Sequence, residues 1–558
     1  MSATPAPDPY DLPPSFWQKH ERHFWAVVVF ALTALFAIVS FPPFHVAEAA
    51  YVLAAPAVYW AYFRPPLKLY AWTIFAAQAV AWTIILGWLH NVTWLGLFLL
   101  GPVIGAWIGV WYLAVWWTMP RVVGRSIPVR LAAQLGLAGL WVLLEWSRTW
   151  FLGGFPWLPL AASQWQQVSI LQVSAYTGAW GVSFVLIVMS IGFPAFLHRL
   201  LREGTTGLGR RSQEFGLALV MLMGCLCLYF VQARPFDRRE VSPIGRVAFV
   251  QPFIPQNVKW DPTQEPVIVD VLKKLTLATA EAQPDLILWP EAALPWPPKT
   301  DANARAFVES LAAKTHAPLL FGSWALEGGT GAVPDRAYNA AFLATPDSGL
   351  RSSYYAKRQL VPFGEYVPFR PILGWLSKFV PIGPDDFSRG TDASPMVVAL
   401  PDGAEAAGVL ICYEDTYPRL ARESVLAGAD FLVVLTNNGW FGMGGAAYQH
   451  AASAVLRAVE TRRTVLRCGN GGWSGWIDEF GATRFAMTNP AGSVYFRGIR
   501  TVGITRDQRW VGRSSFYVEH GDWFVLVCAV LAMLGYFAAR SGAVAAPNQR
   551  LGDKPFHL

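Results

Sequence analysis

Charge is what this chain has least of. Only 15% of its 558 residues are charged and 54% are hydrophobic, whereas a soluble enzyme carries about 25% charged residues. The deficit sets an ordinary soluble enzyme aside. Cysteine is sparse too, with five in all. Cys225, Cys227 and Cys528 lie in apolar blocks and read as small apolar fillers. Cys412 and Cys468 could pair in an oxidising compartment. Each ends a predicted strand in a glycine- or carboxylate-containing context, so Cys412 is expected to be free. No cleavable signal pattern precedes the first apolar block, and the polar, proline-rich residues 1–23 lead into a retained anchor. No basic patch interleaves with aromatics, which sets nucleic acid aside as a partner.

Apolar length is what the chain has instead. Seven blocks, at about 24–43, 47–63, 69–88, 94–118, 130–147, 172–196 and 214–232, approach or reach the roughly 20 residues that span a bilayer. The second is short and contains Pro56. An eighth, Trp523 to Ala539, follows a long segment of ordinary globular composition. Buried helices of a large soluble protein could supply such blocks, but eight of them argue against it. Arg64 and Lys68, then Arg121, Arg125 and Arg130, then Arg199, Arg202, Arg210 and Arg211 occupy alternate loops, and the loops FPPFHVAEAA and GWLHNV have neither Lys nor Arg. The positive-inside rule puts the basic loops and the N-terminus in the cytoplasm. Seven crossings then export residues 233–520. The eighth, 521–539, returns the tail 540–558, with 24–232 as the membrane domain.

The exported segment alternates strand and helix candidates. GRVAFVQP, DLILWPE, PLLFGSW, YNAAFLAT, AAGVLICYED, DFLVVLTNN and RTVLRCGN read as strands, and 264–282, 303–315, 416–427 and 447–462 as helices. Strands apolar throughout imply a sheet covered on both faces. Such a layered α/β domain collects reactive groups at its strand ends.

Three such ends carry chemistry. A thiol of pKa about 8.5 needs a base or a cation to attack a carbonyl. No histidine offers itself for Cys412, since His316 ends a helix and His450 falls in a glycine-rich stretch. Glu291, behind Trp289 and Pro290, is a plausible base if burial raises its pKa. Lys357 could steady thiolate and oxyanion. Glu365 could fix the ammonium, and Glu414 could hold neighbouring loops. Singly, each has an ordinary reading: a solvated lysine, a capping glutamate, a core thiol.

The ordered trio LWPE, YYAKRQLVPFGEYVP and GVLICYED resembles the Glu-Lys-Cys triad of the nitrilase superfamily. VPFGEYVPFR, TNNGWFG followed by QH, VLRAVETRR, VQPFIPQNVKW and GGFPWLPLAASQW resemble the apolipoprotein N-acyltransferase family over nearly the whole chain. That resemblance implies eight transmembrane helices with an α-β-β-α nitrilase-like domain between the seventh and eighth. It assigns Glu291 as base, Lys357 as triad lysine, Cys412 as nucleophile, and Glu365 and Glu414 as supporting glutamates. Trp260 matches a tryptophan near the cysteine pocket, and Trp157 lies in an exported GFPW loop. Where such enzymes show an Asn-Asp-Ala-Trp type of sequence, this chain has Asn437, Asn438, Gly439 and Trp440. With Phe441, this glycine-rich stretch is expected to gate access, and Phe155–Trp157 with Trp440–Phe441 to line a lateral cleft. The family implies a thioester acyl-enzyme, a phospholipid sn-1 donor and a diacylglyceryl-cysteine lipoprotein acceptor. It also implies an inner-membrane monomer with a periplasmic catalytic domain, and no cofactor or metal. A membrane-tethered amidase or nitrilase would use the same triad.

Overall fold

The structure, a computed structural model, describes residues 16–203, 212–233, 241–259, 261–328, 336–375, 386–401 and 403–541. Trp260 and most of the C-terminal tail lie outside the described residues. Among the described residues six helices are long and apolar enough to cross a membrane: His20–Ser40, Trp94–Val122, Ile127–Ser147, Ala179–Arg202, Gln213–Gln232 and Trp523–Arg540. Two further apolar blocks behave differently. Leu67–Ile85 is a 19-residue helix diluted by Lys68 and Gln78. Residues 47–63 break into a 3₁₀ turn, Ala47–Tyr51, and a seven-residue helix, Ala55–Ala61. Pro56 explains that break, because proline lacks the N–H a continuing helix needs and fits its first turn.

The last long helix is locked onto the bundle by close backbone approach. A Cβ on Gly139 would sit 2.5 Å from the Cys528 carbonyl oxygen, and one on Gly136 would sit 2.8 Å from Gly535 Cα. Small residues at these crossings let Ile127–Ser147 and Trp523–Arg540 pack backbone to backbone.

All strands of the described residues fall between the helices Gln213–Gln232 and Trp523–Arg540. One sheet contains β1 (Val241–Gln251), β2 (Leu286–Leu288), β3 (Leu319–Glu327), β4 (Arg336–Thr345), β5 (Gly349–Leu350), β6 (Tyr355–Ala356) and β13 (Gly498–Asp507), in the order β13-β1-β2-β3-β4-β5 with β6 on β4. The other runs β12-β11-β10-β9-β8-β7, built from β7 (Met396–Leu400), β8 (Gly403–Ile411), β9 (Phe431–Thr436), β10 (Val465–Gly469), β11 (Gly475–Ile477) and β12 (Thr483–Ala486). Strand alternation divides the core. Val247, Phe249, Leu288, Val409, Ile411 and Val433 pack between the sheets. Ala248, Val250, Ile287 and Phe321 face outward onto Ile268, Leu272, Val308 and Leu311 of two helices. The result is helices, sheet, sheet, helices.

The outer face of the second sheet meets the membrane bundle. Leu410, Leu432 and Val434 pack with Val455, Val459 and Trp157 in one continuous cluster. The helix Ala446–Thr461 lies between and is buried along almost its whole length, including Gln449, His450, Arg457 and Glu460. A helix buried all round has to satisfy its polar side chains internally. Gln449 does so by joining the two halves. It accepts from Trp88 and Trp157 indole N–H groups, each at 2.9 Å, and donates to the Pro42 and Ile85 carbonyls, each at 2.9 Å.

Candidate active site

Parallel strands deliver the reactive groups to one place. β1, β2 and β3 run parallel in one sheet and β8, β9 and β10 in the other, so the residues just past β2, β8 and β9 meet at the strands' carboxyl ends. Cys412 follows β8 and opens a 3₁₀ turn, Cys412–Thr416, with φ 52°. A non-glycine residue there is strained by roughly 1–3 kcal/mol. The turn is pinned from two sides. Glu414 accepts from the Ile411 N–H at 2.7 Å, and the Cys412 carbonyl accepts from His450 Nε2 at 3.0 Å.

Glu291 sits past β2, buried to 7% exposure. Its Oε1 accepts from Asn339 Nδ2 at 2.8 Å and lies 3.3 Å from Lys357 Nζ, while Oε2 accepts from the Asn437 N–H at 2.9 Å. Its carboxylate is also within hydrogen-bond reach of the Cys412 thiol. Lys357, 1% exposed, donates to Glu365 Oε1 at 2.9 Å, and Asn339 spans both glutamates with a 2.7 Å bond to Glu365. Glu291, Lys357 and Cys412 are therefore brought together, with Glu365 behind the lysine.

Their protonation follows from this packing. Burial works against ionising Glu291, yet Lys357, Asn339 and Lys259 hold its carboxyl below the ordinary carboxylate range. This corrects the expectation that burial raises it: the cation wins. Burial likewise opposes the Lys357 charge, but Glu365 and Glu291 hold the ammonium above its usual value. Burial and the Glu291 charge push the Cys412 thiol up to about 12. At rest the site is carboxylate, ammonium and neutral thiol.

Glu414 lies outside this contact and braces it. It is fully buried and accepts from Arg358 N–H at 2.6 Å, Gln359 N–H at 3.0 Å, the Tyr355 hydroxyl at 2.8 Å and Ile411 N–H, tying the Lys357 segment to the Cys412 turn. Glu414→Ala is expected to destabilise the protein by about 1–3 kcal/mol for each donor left unsatisfied, with Glu414→Gln intermediate. Thermal unfolding in detergent measures this, and an unchanged midpoint contradicts it.

The proposed pocket and gate residues separate. Trp157 is 3% exposed, bonded to Gln449 and 5.2 Å from the His450 ring, so it does not line an open cleft. Asn437 is also buried, its side chain accepting from Gln256 at 2.8 Å and Asn470 at 3.0 Å. It is a wall of the site. Trp440 and Phe441 are half-buried, with Phe441 4.5 Å from Trp88. The membrane-side loop still reaches the site, because Tyr413 and Tyr417 hydroxyls donate to the Gly154 carbonyl at 3.2 and 3.0 Å.

Sequence reasoning missed Asn339 and Lys259 and set His450 aside. Asn339 is the lone amide within the apolar strand YNAAFLAT. Lys259, 2% exposed, donates to the Glu291 carbonyl at 3.3 Å, and burial draws its ammonium down to about 8. His450 is on the buried helix and not in a loop.

A model of the carbon-nitrogen hydrolase family matches residues 246–541, and one of the apolipoprotein N-acyltransferase N-terminal domain matches residues 33–192. Among similar proteins, the apolipoprotein N-acyltransferase of Geobacter metallireducens is 33% identical over 407 residues, covering 71% of this chain and 73% of that protein. The chain belongs to the apolipoprotein N-acyltransferase family. The Azotobacter vinelandii member is 34% identical over 396 residues, covering 71% of this chain and 72% of its own. A solved amidase from a Nesterenkonia species, 20% identical with a TM-score of 0.36 over 48% of this chain and 92% of that one, is too distant to carry an argument. Family membership makes the protein an acyltransferase, and its long apolar helices make it a multi-pass membrane protein.

Proposed function

We propose that the protein moves an acyl chain from the sn-1 ester of a phospholipid, through a thioester on Cys412, to the free α-amine of an S-diacylglyceryl cysteine that begins a lipoprotein. The observation that carries this reading is the convergence of Glu291, Lys357 and Cys412 on a face abutting the membrane-side loop at Gly154. In the first step Glu291 takes the Cys412 proton as the sulfur attacks the ester carbon. Lys357 balances the negative charge of the tetrahedral intermediate. The carbon–oxygen bond breaks, Glu291 returns the proton to the leaving alkoxide, and lysophospholipid departs.

In the second step the α-amine attacks the thioester, Glu291 accepts its proton, and the carbon–sulfur bond breaks to release the Cys412 thiolate, which takes that proton back from Glu291. Lipid-anchored substrates fit a catalytic domain bracketed by membrane helices. The same reading takes all eight apolar blocks as crossings of the inner membrane and places the catalytic domain on the periplasmic side. Trp440 and Phe441 gate the approach to Cys412.

The half-reactions should differ in pH dependence. Glu291 loses its charge only as pH falls through a folded pKa below the ordinary carboxylate value. Acyl-enzyme formation is therefore flat from about pH 5 to 8 and falls only in more acid solution. Transfer to peptide needs a neutral α-amine of pKa about 8 and should rise tenfold per unit up to it. Rapid-quench measurement of each step checks this; parallel profiles contradict it.

Mass measurement of a diacylglyceryl-cysteine peptide after incubation with phospholipid tests the proposal as a whole. The peptide should gain one acyl chain. Hydrolysis of small amides with no gain would favour a tethered amidase.

A further inference from the structure

Thr436 ends β9, and Cys412 directly follows β8, its parallel neighbour. β8 and β9 pair through Ile411↔Leu435, which leaves the next residue of each side by side. Thr436 is fully buried, and its hydroxyl is within hydrogen-bond reach of the Cys412 thiol. That hydroxyl has one proton and two claimants. The second is the Asn438 amide, whose Oδ1 is 3.0 Å from Thr436 Oγ1. With the oxygen turned this way, the threonine proton goes to Asn438 and the sulfur receives none.

His450 decides between the claimants. Its Nε2 faces the Cys412 carbonyl at 3.0 Å and so has to carry a proton. Burial and the nearby Arg467 hold the ring below its usual pKa, against the pull of Asp415 at 2.9 Å, so the ring is neutral and Nδ1 is a bare acceptor. Nδ1 lies 3.2 Å from Asn438 Oδ1, which sets acceptor against acceptor, while the buried Asn438 Nδ2 has no partner. Turning the amide over resolves both conflicts. Nδ2 then donates to His450 Nδ1 and to Thr436 Oγ1, and an under-used carbonyl replaces an orphaned donor, the cheaper of the two. The threonine proton is released toward sulfur.

We infer that Thr436 is a further catalytic residue, its hydroxyl aimed at the Cys412 sulfur by the His450–Asn438 pair. The inference rests on Cys412 being the nucleophile proposed above. Thr436 gives up no proton in the reaction. Its O–H supports negative charge on sulfur twice, when Glu291 removes the thiol proton and when the thiolate leaves the second tetrahedral intermediate. Glu291 and Lys357, with Glu365 behind, face the sulfur from the other sheet, and the neutral His450 with Asp415 and Arg467 lies beneath the turn.

Thr436→Val and Thr436→Ser test this in the full-length protein in detergent, with Thr436→Ala in reserve should valine lower the unfolding midpoint. Two quantities are read: the single-turnover rate of acyl-enzyme formation, and the pH profile of iodoacetamide labelling of the Cys412 peptide by mass spectrometry. Valine should slow acylation about 10- to 100-fold, the worth of one hydrogen bond to a charged group, and move the labelling profile to higher pH. Serine should restore both. Wild-type rate and profile in the valine and alanine variants, or equal impairment by serine and valine, would overturn the inference. Absence of any acyl adduct on wild-type Cys412 would overturn the proposed function with it, so the two failures are told apart.

Discussion

Cys412→Ala is expected to abolish acyl transfer, by about 10⁴-fold or more as for other lost nucleophiles, while the protein stays folded. Alanine and cysteine bear the φ 52° backbone alike, and the pins on the turn come from Glu414 and the Cys412 main chain rather than its sulfur. Cys412→Ser should leave little activity, because the alcohol is a still weaker acid in a site that already lifts a thiol to about 12. Incubation with labelled phospholipid should give a hydroxylamine-sensitive adduct in the wild type alone. An adduct that survives loss of Cys412 would sink the assignment.

Glu291→Gln should be nearly as damaging, costing about 10²–10⁴-fold as a lost general base. The reason is the resting protonation state. With the thiol held near 12, roughly one molecule in 10⁵ is thiolate at neutral pH, so the base has to act during attack. The variant should therefore regain acylation about tenfold per pH unit across the alkaline range, where the wild type is flat. Equal pH dependence in the two proteins would remove Glu291 from the proton transfer. The same substitution leaves the buried Lys357 with Glu365 as its remaining carboxylate neighbour among those within 4 Å, so a lowered unfolding midpoint should accompany it.

The sequence made the catalytic domain's centre legible because its chemistry hangs on long apolar strands. β1, β3, β4, β8, β9 and β10 overlap runs of continuous hydrophobics, and the helices Glu265–Thr279, Ala302–Thr315 and Ala446–Thr461 fall within two or three residues of their expected bounds. The edges were not legible. β13 carries Arg500, Arg506 and Asp507 on a half-exposed pattern and earns its place by ten residues of pairing with β1, a long-range contact no local period announces. β5 and β6 are two residues each. In the membrane part, apolar run length did not show that 47–63 divides into a 3₁₀ turn and a short helix that opens at Pro56.

The site shows the same division. Glu291, Lys357, Cys412 and Glu365 could be read as candidates from strand ends and a polar segment, but not the sign of Glu291's shift, which depends on a lysine 66 residues away at 3.3 Å. Trp157 looked like an exposed interfacial ring beside prolines and is instead buried against Gln449 and His450. Asn339, amid small apolar neighbours, gave only the weak signal of a polar side chain in a strand, yet it spans both glutamates.

The central claim is that one acyl chain passes through Cys412 to an amine. The direct measurement is a chase of preformed acyl-enzyme: load the purified protein with labelled phospholipid, remove free lipid, and add diacylglyceryl-cysteine peptide with its α-amine either free or acetylated. The account predicts that the label leaves the Cys412 peptide and appears as an amide on the free-amine peptide alone, far faster than it is lost to water. Label that leaves at one rate with either peptide, appearing as free fatty acid, would contradict it.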